Sequence, residues 1–282
     1  MEHRDRASGW QHAKLSGHKN EDLVKNRLDT DPNYRQEFLS RIGCAGDSII
    51  RTSIGGLHET NVPSVIGTRK TKSKTDLKIY LQSGKVVNVS IKKSTGGQVY
   101  FVRAGNFVDT FEKQFNKRIP ESVKRAINLF WAAADDAISI IEKYADKSNK
   151  KIYDLQIRHA SLNSTTLKNY DEVLYNDLLT WFKENAYELA SLSFAMGAVR
   201  DRDEWSDLVW YVNMLEENDV DAVFYIAELC EAAANAAEDE TYYSATNGGT
   251  TIQLPFGFVQ WHQGQLQFHH NYDKLRSLAD PE

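Results

Sequence analysis

The sequence predicts a protein of the α/β (α+β) class, with a mixed central sheet flanked by helices and a second half of helices and β-hairpins. Residues 75–81 and 87–93 alternate apolar and polar side chains with period two, which is typical of half-buried strands. Stretches on both sides of them repeat apolar side chains at helical spacing, and residues 250–270 return to a strand-like pattern. Strands interspersed with long helical stretches indicate a mixed fold.

The N-terminal part predicts two helices ahead of the sheet. We expect one helix from about residue 18 to residue 28. A second follows Asp31-Pro32 and ends at Gly43, because proline favours the first helical turn and glycine the position after the last one. Residues 48–52 predict a short strand.

The central part predicts an antiparallel hairpin followed by a third strand. Gln82-Ser83-Gly84-Lys85 has turn chemistry and separates the alternating segments 75–81 and 87–93, so these segments are expected to pair. Gly96-Gly97 then marks a turn into a strand over residues 98–103.

The rest of the chain predicts mainly helices and a C-terminal sheet. Its expected elements are helices over 120–144, 170–196 and 222–237, a strand over 208–214, and strands within 250–270. The polar segment 146–151 marks a boundary between a core, residues 1–146, and a region of residues 147–282 that we expect to pack on it as one compact unit.

The composition is that of an ordinary globular protein, with 41% hydrophobic and 26% charged residues in 282. No apolar run approaches the roughly 18 residues that span a bilayer, and the charged N-terminus predicts no secretory signal. Cys44 and Cys230 lack metal-type spacing, so we expect thiols in a reducing cytoplasm.

The predicted hairpin places an acid and a lysine on one face. If the apolar side chains of both strands face the core, Asp76, Ser90 and Lys92 share the opposite face, because side chains alternate along a strand. Lys93 continues the apolar phase and is expected to face the core or end the strand, so Lys92 is the better catalytic candidate. An acid and a lysine fixed on paired strands can hold a metal ion and orient a water molecule.

The hairpin also lies in a strongly basic segment, although the chain has a net charge of −5. Residues 64–108 contain nine basic side chains and a single acid, Asp76. A lone acid in basic surroundings is what a phosphate-binding metal site requires, whereas the alternative is a solvated strand edge protected by lysines. The basic residues are Arg69, Lys70, Lys72, Lys74, Lys78, Lys85, Lys92, Lys93 and Arg103.

The residues Ser73-Lys74-Thr75-Asp76 and Val89-Ser90-Ile91-Lys92 resemble the catalytic hairpin of the PD-(D/E)xK nuclease superfamily. The resemblance covers roughly residues 18–115 and implies a restriction-endonuclease-like fold with Mg²⁺ bound by Asp76. With no motor-type nucleotide-binding loop in the sequence, it implies a type II restriction endonuclease, a cytoplasmic bacterial or archaeal homodimer that cuts double-stranded DNA. The chain departs from the pattern at Ser90, where the family places an acid.

The departure at Ser90 calls for a replacement acid. Several family members use a glutamate from a helix ahead of the hairpin. Glu21 shares the face of Val24 and Leu28, so it is the first choice as catalytic residue and metal ligand. Glu112 is the second choice and Glu59 a loop candidate, while the alternative for any of them is a surface acid.

Two further clusters are candidate DNA contacts. In Arg200-Asp201-Arg202-Asp203, arginines oriented by aspartates suit bidentate contacts to guanine, and a similar cluster reads guanine in some enzymes of this superfamily. A salt bridge at a helix end is the alternative. Gln260 and His262 lie in the amide-rich tail, which suits base or phosphate contacts and equally the wet face of a sheet. The lysine-rich segment adds Arg69, Lys70, Lys72, Lys74 and Lys93.

Two rival functions stay open at this point. One is a repair or phage-defence nuclease that recognises DNA structure rather than sequence. The other is a non-enzymatic DNA-binding or interaction protein in which the hairpin is only structural.

Overall fold

The structure is a computed structural model that describes residues 6–55, 61–68, 70–216 and 220–279, with side chains from residue 15 onward except at Asn247. The helices are α1 (Arg6–Thr30), α2 (Pro32–Arg41), α3 (Ala104–Phe115), α4 (Glu121–Phe130), α5 (Ala137–Tyr144), α6 (Lys150–His159), α7 (Ser164–Tyr170), α8 (Glu172–Glu184), α9 (Ala186–Ser191), α10 (Ile226–Glu240) and α11 (Tyr272–Ala279). The strands are β1 (Ile49–Ile54), β2 (Val62–Pro63), β3 (Lys70–Thr71), β4 (Leu77–Leu81), β5 (Val86–Lys92), β6 (Gly96–Arg103), β7 (Leu208–Val212), β8 (Asp221–Tyr225), β9 (Tyr242–Ser244), β10 (Thr251–Leu254), β11 (Gly257–His262) and β12 (Gln265–Asn271). Among these residues, no helix is both long enough and apolar enough to cross a membrane.

The chain divides into two compact units. The first is formed by the described residues of 1–63, 70–95 and 194–226, and the second by those of 64–69, 96–193 and 227–282. This division does not follow residue 146, because strands β7 and β8 lie beyond it in sequence and belong to the first unit.

The first unit contains a mixed five-stranded sheet in the order β1-β4-β5-β7-β8. Strands β5 and β7 are parallel, and the other neighbours are antiparallel. A parallel pair needs a long crossover connection, and here residues 96–193 of the second unit lie between the two strands in sequence. The predicted class, a mixed sheet with helices, is confirmed.

Helices α1 and α2 pack with this sheet in one apolar core. Val24 and Leu28 of α1 and Phe38 of α2 are buried in the same cluster as Trp210 of β7, and the Phe38 and Trp210 ring centroids are 4.6 Å apart. Asp31 caps α2, since its carboxylate accepts from the backbone N–H groups of residues 33 and 34.

The hairpin forms as predicted. Strands β4 and β5 pair antiparallel, with Leu77 opposite Val89 and Ile79 opposite Val87. These four side chains are buried, so the apolar face of each strand is the core face. Gly84 adopts a positive φ of 89° in the turn, a conformation that favours glycine.

The second unit contains an antiparallel sheet in the order β6-β12-β11-β10-β9. The predicted third strand exists as β6, but it joins this sheet rather than the hairpin. The helices of this unit include α3 to α9, and α4 packs with α8 through buried side chains such as Phe130 and Phe182.

Four predicted helices differ from the structure. The helix expected over 18–28 begins earlier, at Arg6, and ends at Thr30. The helix over 120–144 is interrupted after Phe130, where Ala132 adopts a left-handed φ of 56° that L residues disfavour. The helix over 170–196 is divided into α8, α9 and a π-helical turn. Residues 222–225, predicted as the start of a helix, belong to β8 (Asp221–Tyr225) instead, because the Val-Phe-Tyr sequence there pairs with β7.

Candidate active site

The hairpin brings Asp76, Ser90 and Lys92 together, as the alternation of side chains predicts. Asp76 Oδ2 accepts hydrogen bonds from the Ile91 backbone N–H at 2.8 Å and from the Ser90 hydroxyl at 3.2 Å. Lys92 Nζ donates to Ser90 Oγ at 2.7 Å and lies 3.8 Å from Asp76 Oδ2. About one fifth of each charged side chain is exposed, 23% for Asp76 and 20% for Lys92, so both ends of this cluster remain accessible to a substrate.

The backbone around Asp76 is held from both sides. The Asp76 N–H donates to the Val89 carbonyl oxygen, and the Asp76 carbonyl oxygen accepts from Gly55 N–H, each at 2.9 Å. A Cβ atom at Gly55 would lie 2.2 Å from the Thr75 carbonyl oxygen, so only glycine permits this close approach. The carboxylate is therefore fixed relative to both neighbouring segments of chain.

Lys93 takes a different position from Lys92. Strand β5 ends at Lys92, and Lys93 Nζ donates to the Ser16 hydroxyl of α1 at 3.1 Å. We expected Lys93 to face the core or to end the strand, and the second alternative agrees with the end of β5 at Lys92. Its proposed role as a DNA contact stays a prediction.

Glu21 lies on α1, whose position is fixed by its neighbour Asn20. The Asn20 amide donates to the Val212 carbonyl oxygen at 2.9 Å and accepts from the Met214 N–H at 2.7 Å, and this side chain is fully buried. Val24 and Leu28, one and two turns beyond Glu21, are also fully buried. The predicted inward face of α1 is confirmed for Val24 and Leu28. Glu21 lies on the same face of the helix.

The Glu21 carboxyl interacts electrostatically with Asp76 and Lys92. Burial and the negative charge of Asp76 raise the pKa of Glu21 from 4.5 to about 8, while Lys92 opposes the rise and Asp22 adds to it. Two carboxylates that share a low-dielectric site cannot both ionise easily. The Glu21 carboxyl is therefore a candidate for the second acid of this cluster, and its burial together with the charge of Asp76 favours the protonated form.

Lys74 is a second lysine at this site. It is half-buried, and burial lowers its pKa to about 7, with the charge of Lys92 lowering it further and Asp76 opposing. Lys74 therefore lies close enough to Asp76 and Lys92 to interact with both charges. The sequence predicted Lys74 as a DNA contact, which stays a prediction, and the structure adds its electrostatic interaction with Asp76 and Lys92.

The donors present fit a hard divalent cation with few protein ligands. The described residues contain no group of three or more His, Cys, Asp or Glu side chains arranged to hold a metal ion. Asp76, Glu21 and the Ser90 hydroxyl offer oxygen donors only. Magnesium is commonly held by one or two carboxylates together with waters and substrate phosphate oxygens, and a cation would relieve the repulsion that raises the pKa of Glu21.

The other candidate acids contribute elsewhere or lie outside the description. Glu112 belongs to the second unit, where it accepts from the Ile119 N–H at 2.9 Å and pairs with Lys124 at 3.0 Å. These contacts lower its pKa despite partial desolvation and link α3 to α4. Glu59 and Arg69 lie outside the described residues.

The Arg200–Asp203 segment is clamped to the hairpin. The Ser73 and Thr75 hydroxyls donate to the Glu204 carbonyl oxygen at 2.9 and 3.1 Å. The Asn88 amide bridges the carbonyl oxygens of Asp203 and Trp205 at 2.9 and 2.8 Å. The loop that carries the two arginines is thereby fixed to the strands that carry Asp76 and Lys92.

Arg200 and Arg202 of this loop are exposed. We expected the aspartates to orient these arginines, but Asp201 bonds to the backbone instead. Asp201 accepts from the Asp203 N–H and caps a short 3₁₀ turn, and the Arg202 guanidinium lies 5.5 Å from the Trp205 ring centroid. Within the described chain, neither Arg200 nor Arg202 is ion-paired. The helix-end salt bridge that served as the alternative does not form there. Lys70 and Lys72 are also exposed.

Gln260 and His262 lie in the second unit, on one face of β11. The Gln260 amide donates to Gln267 Oε1 at 3.1 Å and lies 3.2 Å from His269 Nε2. His262 is exposed at the strand end. His269 stacks on Phe258 while His270 is buried, so the adjacent histidines face opposite sides of the strand.

Sequence reasoning missed Asn20, Asn88 and the site position of Lys74. Each acts through residues more than a hundred positions away or through burial, so no local motif marks it. Of these three residues, only Asn88 could have been found from the sequence, because it shares the polar face of the strand with Ser90 and Lys92.

The fold and the cluster together define a mixed α/β protein with an aspartate–serine–lysine site on a strand pair. No protein-family model matches the chain, and no curated protein matches its sequence. Among solved structures, the crystal structure of restriction endonuclease MspI in complex with its cognate DNA aligns over 92% of this chain and 87% of that chain, with a TM-score of 0.43 and 10% sequence identity. A likeness at this level transfers no activity.

Proposed function

We propose that the protein is a metal-dependent endodeoxyribonuclease that hydrolyses phosphodiester bonds in double-stranded DNA. The observation that supports this most directly is the Asp76–Ser90–Lys92 cluster on the hairpin, together with the influence of Asp76 and Lys92 on the pKa of Glu21. Phosphodiester hydrolysis requires a positioned water and compensation of the charge that develops on phosphorus. The two carboxylates and the lysine are the residue types that supply both.

Each residue of the cluster has a separate role in the proposed reaction. Asp76 and Glu21 would hold Mg²⁺, which lowers the pKa of a bound water and neutralises phosphate charge when it is present. Lys92, oriented by Ser90, offers a positive point charge to the scissile phosphate or to the attacking water. The Glu21 carboxyl has to lose its proton before it binds a cation, which links activity to pH.

DNA is the substrate class that the charges around the site favour. The hairpin segment is basic in a chain of negative net charge, and Lys70, Lys72, Arg200 and Arg202 are exposed. Exposed cations beside a carboxylate site suit a phosphate backbone. The clamp of Ser73, Thr75 and Asn88 fixes the arginine loop relative to the site, which supports reading of bases at a set distance from the cut.

We further propose that cleavage is sequence-specific, of the type II restriction class, and performed by a homodimer in the cytoplasm. This part of the proposal derives from the resemblance of the hairpin to the PD-(D/E)xK pattern. A homodimer follows from the two-fold symmetry of palindromic duplex sites.

The test is digestion of plasmid and phage DNA by the full chain with Mg²⁺, with a matched reaction containing a chelator. Discrete fragments that vanish with the chelator are the expected result, and sequencing of the ends gives the site. A metal-dependent smear would favour a structure-specific nuclease instead. Absence of cleavage across a broad set of DNAs, by a protein that retains its fold, overturns the nuclease proposal.

A further inference from the structure

The second unit contains a cleft that the proposed catalytic role does not use. Its volume is about 680 Å³, and it is lined by residues of α6, of the segment 248–250 and of the C-terminal end of β11. This volume is within the range of clefts that hold small organic ligands. Its polar and aromatic lining includes Lys151, Gln156, His159, Trp261 and His262.

An aromatic pair forms one wall of the cleft. The His159 imidazole, at the end of α6, and the Trp261 indole, on β11, have centroids 4.3 Å apart with an interplanar angle of 45°. Both side chains are half-buried. A partly open aromatic wall of this kind offers π-faces to a flat ring.

The same tryptophan has an unmet hydrogen-bond requirement. Trp261 Nε1 is buried and has no hydrogen-bond partner among the described residues. Buried donors are nearly always paired, and an indole N–H can only donate. A ligand acceptor, such as a carbonyl oxygen or an unprotonated ring nitrogen, can pair with this buried N–H only if the indole turns towards the cleft when the ligand binds.

A second polar group on the lining is held in place. Gln156 is almost fully buried, and its Oε1 accepts from the Asn163 N–H at 3.0 Å. Because the amide oxygen is occupied by this bond, the orientation of the Gln156 side chain is fixed. An oriented amide beside an aromatic wall is suited to the edge of a nucleobase.

The charge of the lining selects an anion or a neutral group. The lining residues include Lys151 and two histidines and no carboxylate. Burial and the neighbouring charge of Arg158 lower the pKa of His159, so its imidazole is neutral at physiological pH and the positive charge comes from Lys151. A flat ring with an attached phosphate matches this combination.

We propose that this cleft is a nucleotide-binding site that stacks one nucleobase against His159 and Trp261 and pairs the indole N–H with an acceptor on the base. The nucleotide comes either from solution or from DNA, as a base taken out of the helix or present in a single strand. A nucleotide taken from DNA depends on the proposed function, since it requires that the protein bind DNA. A nucleotide taken from solution does not depend on it.

The experiment uses the full chain in the presence of a chelator, so that no cleavage occurs. Deoxynucleoside monophosphates are titrated by calorimetry. In a parallel arm, a randomised duplex pool carrying 5-iododeoxyuridine in place of thymidine is photo-crosslinked, and the linked peptide is mapped. We expect binding in at least one arm, with crosslinks to the peptides containing His159 or Trp261.

Two variants and a control keep the test specific. Trp261→Phe retains a ring and removes only the N–H donor, so it should weaken binding about tenfold, and His159→Ala should weaken it by loss of stacking. Tyr187→Phe removes an exposed aromatic donor elsewhere in the second unit and should leave binding unchanged. Thermal melting shows whether each variant is folded.

The outcomes separate this proposal from the proposed function. Titration with monophosphates alone identifies a free nucleotide as the ligand, and crosslinking of the pool alone identifies a DNA nucleotide. Failure of both arms, or binding that folded Trp261→Phe and His159→Ala leave intact, overturns the cleft proposal, even if the protein cuts DNA. If the protein binds nucleotides but shows no metal-dependent cleavage, the cleft proposal stands and the nuclease proposal is refuted.

Discussion

The Lys92 ammonium lies 2.7 Å from the Ser90 hydroxyl, the group that stands where the PD-(D/E)xK pattern has an acid. Ser90 therefore contributes hydrogen bonds to the cluster although it lacks the charge of an acid. It accepts from the lysine and donates to Asp76 Oδ2 at 3.2 Å, so it connects the positive and negative ends of the cluster without adding charge. If the cluster binds a cation as we propose, a second negative charge has to come from another element, and Glu21 of α1 is our candidate because the charges of Asp76 and Lys92 act on its pKa.

Asp76→Asn is expected to remove DNA cleavage while leaving the fold intact. Asparagine retains an oxygen that accepts from the Ile91 N–H, but it lacks the charge that holds a cation. Loss of several kcal/mol of metal-assisted stabilisation corresponds to a fall of about a thousandfold or more in rate. Plasmid cleavage under single-turnover conditions measures it, and circular dichroism checks the fold. A folded variant that cuts at the wild-type rate would exclude Asp76 as a ligand.

Lys92→Ala is expected to lower the cleavage rate by about a hundredfold to a thousandfold, the usual effect of removing one group that stabilises transition-state charge. Lys85→Ala is the matched control, because Lys85 is an exposed lysine in the turn of the same hairpin. Comparison of the two variants at saturating DNA separates catalysis from binding. Equal rates for both would place Lys92 outside the chemistry.

The hairpin was predictable because its information is local. Alternation in β4 and β5 and the turn at Gly84 lie within twenty residues of one another, and they fix which side chains share a face. The position of the candidate second acid was predictable only in part. The apolar spacing of Val24 and Leu28 indicates that Glu21 lies on the inward face of α1, but the placement of that helix depends on Asn20, which bonds to backbone groups some 190 residues away.

The interrupted helix after Phe130 and the strand β8 show a different limit. Apolar periodicity continues across Ala132, so the pattern contains no sign of the left-handed turn there. Residues 221–225 precede a strongly helical Ala- and Glu-rich stretch, and only the pairing with β7 makes them a strand. In both places tertiary contacts decide between conformations that the local sequence allows.

Glu21→Gln is expected to change the response to both pH and Mg²⁺. The folded-state pKa of about 8 lies above the ordinary value of 4.5, so the folded chain holds this proton more tightly than the unfolded chain. The stability that the group contributes is therefore full below about pH 4.5 and is lost as the pH rises through 8. Glutamine does not titrate, so in a chelator the variant should melt a few degrees above wild type at pH 9.

Magnesium should reverse that order. With the cation present at pH 9, wild type gains stability by binding it, whereas Glu21→Gln has lost one of two carboxylate ligands and gains little. Melting curves at pH 5 and pH 9, each with Mg²⁺ and with a chelator, give the four values needed. Wild type and variant that respond identically to Mg²⁺ would show that the second ligand is another group.

Arg202→Ala is expected to weaken DNA binding, because Arg202 is exposed on a loop that is hydrogen-bonded to the hairpin. It should leave the stabilisation by Mg²⁺ unchanged, because Arg202 forms no ion pair with Asp76 or Glu21. A phosphate contact would reduce the salt slope of binding by about one and weaken all sequences alike. A base contact would cost about 1–3 kcal/mol at one position and relax specificity there. Binding isotherms across salt concentrations and DNA sequences distinguish the two, and unchanged binding to all of them would remove Arg202 from the interface.

Ser90→Asp is expected to strengthen Mg²⁺ binding. An aspartate at this buried position adds a carboxylate beside Asp76, so repulsion should destabilise the fold in a chelator, and a cation should recover that loss. The added ligand charge should lower the half-saturating Mg²⁺ concentration by about tenfold in a thermal titration. Ser90→Asn has a similar volume without the charge, so it should show neither effect. If the half-saturating concentration does not change in a folded Ser90→Asp variant, the cation is not bound at this end of the hairpin.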